Sequence, residues 1–206
     1  FSNSSTRSLC NLRVLREIPL HSNHEPIAYA VPPRICQRDF AVTDQTVTYF
    51  LEMTAPSQLR AKPVPQDLLI SECEIKQFRF NQFLYRLIGG PWQWTERLQQ
   101  SDEAWQREIE SPDLRTWVAY HRGAIAGYYE LRRSAEDVEI LHFGLESGFF
   151  GRGFGGGLLS HAITSAWEWP GTRRVWVHTC TLDHPSALQN YQARGFTLYD
   201  QQVGIE

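Results

Sequence analysis

Residues 138–163, VEILHFGLESGFFGRGFGGGLLSHAI, decide the fold of this chain. The alternating residues 138–145 predict a β-strand, and the apolar spacing from Leu158 onward predicts a helix. Between them, five of the seven residues 151–157 are glycine. A helix that begins there has backbone N–H groups without partners, and these groups suit a phosphate. A tight corner that binds no ligand is the alternative explanation.

A dinucleotide-binding site is the first alternative to weigh, because Gly151, Gly153 and Gly156 match the pattern GxGxxG. A Rossmann unit needs an acidic residue about 20 positions later, where this chain has Arg173 and Arg174. About 50 residues after the turn are also too few for the remaining parallel strands of that fold. A nucleotide-dependent oxidoreductase is therefore disfavoured.

The residues before the turn predict an antiparallel meander. Three short alternating runs, 115–121, 124–132 and 138–145, follow one another closely, and Arg122-Gly123 is a good hairpin turn. The remaining predicted elements are strands at 46–53, 175–180 and 196–201 and helices at 75–88, 101–110, 158–169 and 185–194. Residues 1–40, interrupted by four prolines, are expected to form an irregular arm.

Composition excludes several classes of protein. With 42% hydrophobic residues and a formal net charge of −3, the chain can fill a core and lacks the strong basic charge of a nucleic-acid binder. No apolar run approaches the roughly 20 residues of a membrane span. The four cysteines show neither CxxC spacing nor paired histidines, so we expect no metal site, no disulfide framework and a cytoplasmic location.

Two motifs carry a family resemblance. Residues 138–163 resemble the acetyl-CoA-binding core of the GNAT superfamily of N-acetyltransferases, whose motif is Gln/Arg-x-x-Gly-x-Gly/Ala after a strand. Gly153 and Gly155 match the two small positions, whereas Phe150 stands where the family usually has Gln or Arg. Residues 184–196, HPSALQNYQARGF, resemble the later family helix with its Tyr-x-x-x-Gly-Phe ending. The strong resemblance covers residues 112–203.

The resemblance implies a fold and an activity. The fold is α/β (α+β), a mixed and mostly antiparallel central sheet flanked by helices, over residues 41–206. The activity is transfer of an acetyl group from acetyl-CoA to a primary amine by direct attack, without a metal. A small aromatic or alkyl amine is favoured, a peptide or protein amine is possible, and the enzyme could form a homodimer. The alternative is a non-catalytic acyl-CoA-binding sensor or interaction module, to which the departure at Phe150 gives weight.

The resemblance also implies which residues hold the coenzyme. Backbone N–H groups of the glycine turn would bind the pyrophosphate, with added charge from Arg152. Main chain at the end of the preceding strand would pair with the pantetheine and polarise the acetyl carbonyl. The implied residues are Phe143, Gly144, Leu145, Phe150, Gly151, Arg152, Gly153, Phe154 and Gly155.

The resemblance implies two catalytic residues, each with an alternative. Glu139 occupies the position of a catalytic glutamate in histone-acetylating members, where a raised pKa would let it accept the ammonium proton. A solvent-facing strand residue is the alternative, and His142 and His178 are rival bases. Tyr191 matches the general acid of the family, although a tyrosine that only packs its helix on the sheet is also possible.

The substrate side is predicted from aromatic residues. The segment GGPWQWTERL, residues 89–98, lies where GNAT enzymes place a loop over the substrate, and its Trp92 and Trp94 suit an organic or cationic amine. Tyr128 is expected to add to this wall. Glu52 and Glu130 would favour cationic substrates if they face the cleft. Packing alone is the alternative explanation of these rings.

Overall fold

A computed structural model describes residues 45–204, and the predicted arm, residues 1–40, lies outside this range. The strands are β1 Val47–Met53, β2 Leu68–Glu72, β3 Leu114–His121, β4 Ala124–Ser134, β5 Asp137–Leu145, β6 Arg174–Cys180 and β7 Thr197–Val203. The helices are α1 Phe78–Gly89, α2 Asp102–Ile109, α3 Phe154–Trp167 and α4 Ala187–Ala193. None of the helices within 45–204 has the length and hydrophobicity of a membrane span.

The seven strands form one sheet in the order β2-β3-β4-β5-β6-β1-β7. Every neighbouring pair is antiparallel except β5 and β6, which run parallel. The mixed and mostly antiparallel sheet expected from the sequence is therefore confirmed. The predicted meander corresponds to β3, β4 and β5.

The parallel pair separates part of the way along the sheet. β5 and β6 are paired only at Asp137–Arg174, Val138–Val175 and Glu139–Trp176. Beyond these pairs β5 stays bonded to β4 and β6 stays bonded to β1, so each strand has one edge without a strand partner. A β-bulge leaves Leu141 unpaired between the positions of Ile140 and His142, which increases the local bend of β5.

Helices cover the two faces of the sheet with separate cores. Val118 and Tyr128, opposite each other on β3 and β4, pack with Leu84 and Ile88 of α1. Their neighbours on the strands point to the other face and pack with α3, whose buried apolar residues include Leu158, Leu159, Ala162, Ile163 and Ala166. Burial of each leucine or isoleucine side chain contributes roughly 1.5–3 kcal/mol.

The largest differences from the sequence prediction are the additional strand β2 and the start of α3, and α1 also begins three residues later than predicted. β2 was not predicted, because the run LLISE is short and follows a proline-rich segment without a hairpin turn. α3 begins at Phe154 rather than Leu158, since the glycines that form its first turn carry no apolar periodicity. β1 lies between β6 and β7, at the opposite end of the sheet from β2.

Candidate active site

A cavity of about 1,110 Å³ opens where β5 and β6 separate. Its volume is slightly larger than the roughly 300–1,000 Å³ typical of small-molecule sites. The cavity wall includes the glycine turn, the end of β5, the loop after α1 and one side of α4. The predicted site residues on this wall are Trp92, Trp94, Phe143, Gly144, Leu145, Phe150, Gly151, Gly153, Phe154, Gly155 and Tyr191. Glu139, Arg152 and Tyr128 are not on it.

The glycine turn leaves the start of α3 open. Gly151 and Gly153 have φ angles of 74° and 80°, in the left-handed region that favours glycine. Gly153 is the N-cap of α3, and no side chain caps this end of the helix. The first N–H groups of a 14-residue helix therefore lack intrahelical partners at the cavity wall, where an anion would satisfy them.

Two basic side chains that the sequence did not single out lie beside this turn. A Cβ placed on Gly156 would lie 2.7 Å from Arg194 Nη1 and 2.8 Å from Lys62 Cδ. Lys62 Nζ would lie 3.9 Å from a Cβ on Gly153. Both side chains line the cavity. The absence of side chains on these glycines therefore leaves room for two cations beside the start of α3.

The end of β5 offers main-chain groups to the cavity. Phe143, Gly144 and Leu145 pair with β4 along one edge, while the other edge faces the separation from β6. A Cβ on Gly144 would lie 2.4 Å from Ile88 Cγ2, so only glycine lets α1 approach β5 this closely. The open edge can pair with an extended ligand much as another strand would.

Tyr191 lies on the cavity wall although it is only 6% exposed. Its ring contacts Phe143 and Phe196, with centroid separations of 6.1 Å and 5.9 Å. Burial raises the pKa of Tyr191 well above its ordinary value, and the charge of Asp183 adds to this effect. The phenol therefore stays protonated at neutral pH and can donate a proton.

A buried charged network lies beneath another part of the wall, centred on Glu130, which is 1% exposed. One carboxylate oxygen accepts from Asn81 Nδ2 at 2.6 Å, and the other lies 2.7 Å from His142 Nδ1 and 3.1 Å from Arg97 Nη1. Burial raises the pKa of Glu130, but its hydrogen bond to His142 and the charges of His142 and Arg97 outweigh burial, so the net pKa falls to about 2. Glu130 is therefore ionised.

The network fixes the orientation of His142. A carboxylate only accepts hydrogen bonds, so the Nδ1 nitrogen facing Glu130 carries the proton and Nε2 has a free electron pair when the ring is neutral. Arg97 Nη1 lies farther from Nδ1, at 3.4 Å. The ring packs against Tyr85 and Trp94, with centroids 5.1 Å and 5.3 Å away, and lines the cavity. His142 is thus a rigidly held histidine with one nitrogen available as a base.

Glu139 has different surroundings from those expected. It is 3% exposed, and its carboxylate lies 2.6 Å from Arg132 Nη2 and 3.4 Å from His178 Nδ1. Burial raises the pKa of Glu139, but the bond to His178 and the charge of Arg132 outweigh it, so the net pKa is lowered. The expected raised pKa is wrong. Arg132 and His178, rather than Glu139 itself, line the cavity.

Trp92 and Trp94 line the cavity and contact the loop after β6. The Trp92 ring lies 5.3 Å from that of His184 and 6.1 Å from that of Phe150. The Trp94 indole N–H donates to Asp183 Oδ1 at 3.4 Å, so the loop after α1 touches the loop after β6. Both rings line the cavity and present apolar surface to it.

Other predicted residues lie elsewhere. Tyr128 is fully buried against α1, so it belongs to the core rather than to an aromatic wall. Arg152 stacks on Phe149 at 5.2 Å instead of lining the cavity. Glu52 pairs with Arg174 at 2.6 Å. Neither Glu52 nor Glu130 lines the cavity, so the condition under which they would favour a cationic substrate is not met. Within residues 45–204, no three His, Cys, Asp or Glu side chains are grouped to hold a metal ion.

The comparison with protein families finds one match. Residues 81–196, which include most of α1 and all of α2, β3 to β6, α3 and α4, match the family model described as the acetyltransferase (GNAT) family. No curated protein matches the sequence.

Solved structures share the fold at low identity. A GCN5-related N-acetyltransferase from Sphaerobacter thermophilus is 16% identical, with a TM-score of 0.55 over 77% of this chain and 50% of that one. An aminoglycoside acetyltransferase, meta-AAC0020, from an uncultured soil metagenomic sample is 18% identical, with a TM-score of 0.56 over 68% of this chain and 95% of that one. An IAA acetyltransferase from Bacillus cereus is 23% identical, with a TM-score of 0.50 over 65% of this chain and 79% of that one. This chain spans half the length of the first.

Proposed function

The chain belongs to the GNAT family of acetyltransferases, and on that premise we propose that it moves an acetyl group from acetyl-CoA to a primary amine. Family membership supports acyl transfer in general, and the donor, the acceptor and the route are our proposal. The observation that carries it is a single cavity whose wall holds an open helix N-terminus, an oriented histidine and a protonated tyrosine. These are the parts that thioester aminolysis needs.

The phosphate end of the cavity, defined by Phe150–Gly156 with Lys62 and Arg194, fits the coenzyme. The glycines leave space that side chains would fill, and Arg194 Nε is buried without a hydrogen-bond partner among the described residues. Backbone N–H groups of Gly151–Gly155 would hold the diphosphate, since the Phe150 N–H already donates to the Ser147 carbonyl at 3.2 Å. The open edge at Phe143–Leu145 would pair with the pantetheine amides. Apart from Phe150, these positions are the ones proposed from the sequence.

The other end of the cavity would hold the acceptor amine. We call it the acceptor end and define it by His142, Glu130, Arg97 and Trp94. One of its side chains would take the proton of the amine. We assign this role to His142 because it lines the cavity and Glu130 fixes its tautomer. Glu139 was the sequence-based candidate, and in this proposal it balances the charge of Arg132 and orients His178. A carboxylate with a lowered pKa and no place on the cavity wall is a weaker base than a cavity-lining imidazole.

The proposed step is direct transfer without a covalent enzyme intermediate. Bound acetyl-CoA supplies an activated thioester. The amine gives its ammonium proton to His142 Nε2, and its nitrogen then attacks the acetyl carbonyl. The C–N bond forms, the C–S bond breaks, the nitrogen loses its second proton to solvent, and Tyr191 gives its proton to the leaving thiolate. His142 and Tyr191 exchange their protons with solvent before the next cycle.

A small aromatic or alkyl amine fits the acceptor end best. Trp92, Trp94 and Tyr85 supply apolar ring surface, and the Glu96 carboxylate on the same wall forms no ion pair among the described residues. A ring face next to a carboxylate attracts the ammonium form of an organic amine before the amine loses its proton. Two structural neighbours, named as aminoglycoside and IAA acetyltransferases, are consistent with a small substrate. A cytoplasmic location and a homodimer stay predictions.

The test is release of free CoA thiol from acetyl-CoA across a panel of aromatic amines, alkyl amines, polyamines and peptides. We expect turnover above the no-enzyme rate with at least one small organic amine. Saturable acetyl-CoA binding without thiol release for any amine would instead support the non-catalytic sensor. A protein that neither binds acetyl-CoA nor releases thiol would contradict both.

A further inference from the structure

The segment between β1 and β2 lies across α3 and α4 as a strap, residues 56–65. The Arg60 N–H donates to the Arg194 carbonyl at 2.9 Å, and the Lys62 N–H donates to Ser160 Oγ at 2.8 Å. Ser160 Oγ in turn donates to the Gly156 carbonyl at 2.9 Å. The backbone of Lys62 is therefore fixed to the first turns of α3.

The strap brings Lys62 close to Arg194 without a counter-charge. Both side chains approach the Cβ position of Gly156, and neither forms an ion pair with a carboxylate in residues 45–204. Arg194 Nε is also buried without a hydrogen-bond partner in that range. Like charges that converge repel each other, and an anion between them would remove the repulsion and satisfy the orphaned donor.

We propose that Lys62 and Arg194 bind the 3′-phosphate of the co-substrate. This inference rests on the proposed function. Acetyl-CoA carries a diphosphate, for which the backbone N–H groups of the turn are suited, and a separate phosphate monoester on the ribose. A monoester carries about −1.5 to −2 charges at neutral pH, which two cationic side chains can balance.

The inference also accounts for Phe150. The family usually has a polar or basic side chain at this position, and phenylalanine offers no donor to the coenzyme. Lys62 comes from a segment outside the family match at residues 81–196. The strap therefore supplies a charge on the cavity wall, which Arg152 of the glycine turn does not line.

Isothermal calorimetry with CoA and 3′-dephospho-CoA tests the proposal on the intact protein. We expect wild-type protein to bind CoA about 100-fold more tightly than 3′-dephospho-CoA, since each charge-assisted contact to the phosphate contributes about tenfold in affinity. Lys62→Gln should weaken CoA about tenfold and leave dephospho-CoA unchanged, and Lys62→Arg should restore most of the preference. Arg194→Gln should act in the same direction, with a thermal melt to verify folding.

Arg60→Gln is the matched control. Arg60 belongs to the same strap, its side chain is off the cavity wall, and its backbone bond to Arg194 survives the change. This variant should bind both ligands like wild type.

Three results would overturn the assignment. Equal wild-type affinity for the two ligands would contradict the 3′-phosphate site while leaving the proposed function intact. Equal weakening of both ligands by Lys62→Gln would place the lysine at the diphosphate instead. Failure of wild-type protein to bind either ligand would overturn the proposed function itself.

Discussion

The two ends of the cavity are built in contrasting ways. At the phosphate end, six lining residues belong to one continuous stretch, residues 150–156, and four of the six are glycines that can present only backbone. At the acceptor end, the surface depends on side chains far apart in sequence, with Glu130 of β4 joined to Asn81 of α1, to Arg97 and to His142 of β5. A site made of backbone is specified by local conformation, whereas a site made of buried charges is specified by tertiary packing.

The two ends should also respond differently to mutation. The phosphate end has few contacts to lose, so a substitution there should act on the ligand more than on the fold. The acceptor end holds buried charges that are stable only while each has its partners, so a substitution there should affect folding as well as chemistry. The predictions below test this difference, starting with the largest effect.

Gly153→Glu should nearly abolish coenzyme binding, with a loss of more than about a thousandfold in affinity. The side chain would strain a backbone at φ 80° and bring a negative charge to the place proposed for the diphosphate. Calorimetric titration with acetyl-CoA measures this loss. Gly123→Glu is the matched control, since Gly123 has φ 85° with open space around it and is not on the cavity wall. If the two variants lost acetyl-CoA affinity equally, backbone strain alone would explain the loss and the proposed diphosphate site at Gly153 would be contradicted.

His142→Gln should lower kcat by about 100-fold to 10,000-fold, the usual contribution of a positioned general base. Acetyl-CoA affinity should stay within about twofold, because His142 belongs to the acceptor end. Steady-state kinetics with the preferred amine, combined with calorimetry, separates the two effects. Glu139→Gln is the comparison variant and should retain more activity than His142→Gln. The reverse order would return the base role to Glu139.

Glu130→Gln should destabilise the fold by about 3–5 kcal/mol, because His142 would lose its buried counter-charge and Arg97 would keep only its ion pair with Glu108. The pKa of Glu130 falls from 4.5 to about 2 on folding, so the ionised carboxylate stabilises the protein above about pH 4.5 and loses this contribution as the pH falls toward 2. The difference in unfolding free energy between wild type and variant should therefore shrink across this pH range. Urea titrations at several pH values measure it, and a constant difference would contradict the coupling.

Tyr191→Phe should reduce kcat about tenfold to 100-fold with little change in acetyl-CoA affinity. The raised pKa keeps the phenol protonated, so loss of activity at alkaline pH should not follow the ordinary titration of tyrosine. A pH–rate profile of wild type and variant checks both points. Full activity of the variant would leave Tyr191 a packing residue for Phe143 and Phe196.

The same contrast explains what could be predicted from the sequence. The strands of the meander, the glycine turn and the helix with Tyr191 have local signals, namely alternation, φ-permissive glycine and apolar spacing. β2 has a short run without such a signal, and Lys62 lies in a proline-rich link with no period. Arg194, the third variable position of the Tyr-x-x-x-Gly-Phe motif, could have been found as a charge at the end of the predicted helix 185–194.

The acceptor end could not be assembled from the sequence. Glu130 and His142 lie 12 positions apart, and only the pairing of β4 with β5 across a bulge brings them together. Glu139 lies three positions before His142 in the same strand, and alternation alone could not decide which side chain reaches the cavity. The pKa of Glu139 depends on Arg132 and His178, which belong to the two neighbouring strands.

Hydrogen–deuterium exchange with and without acetyl-CoA tests the central claim most directly, namely that the coenzyme lies in the separation between β5 and β6. Open edges and an uncapped helix start leave backbone amides to solvent, and a ligand that bonds them slows their exchange. We predict protection at residues 141–145 and 150–156, with little change in β2 at the far edge of the sheet. Protection elsewhere, or none at saturating acetyl-CoA, would contradict this account.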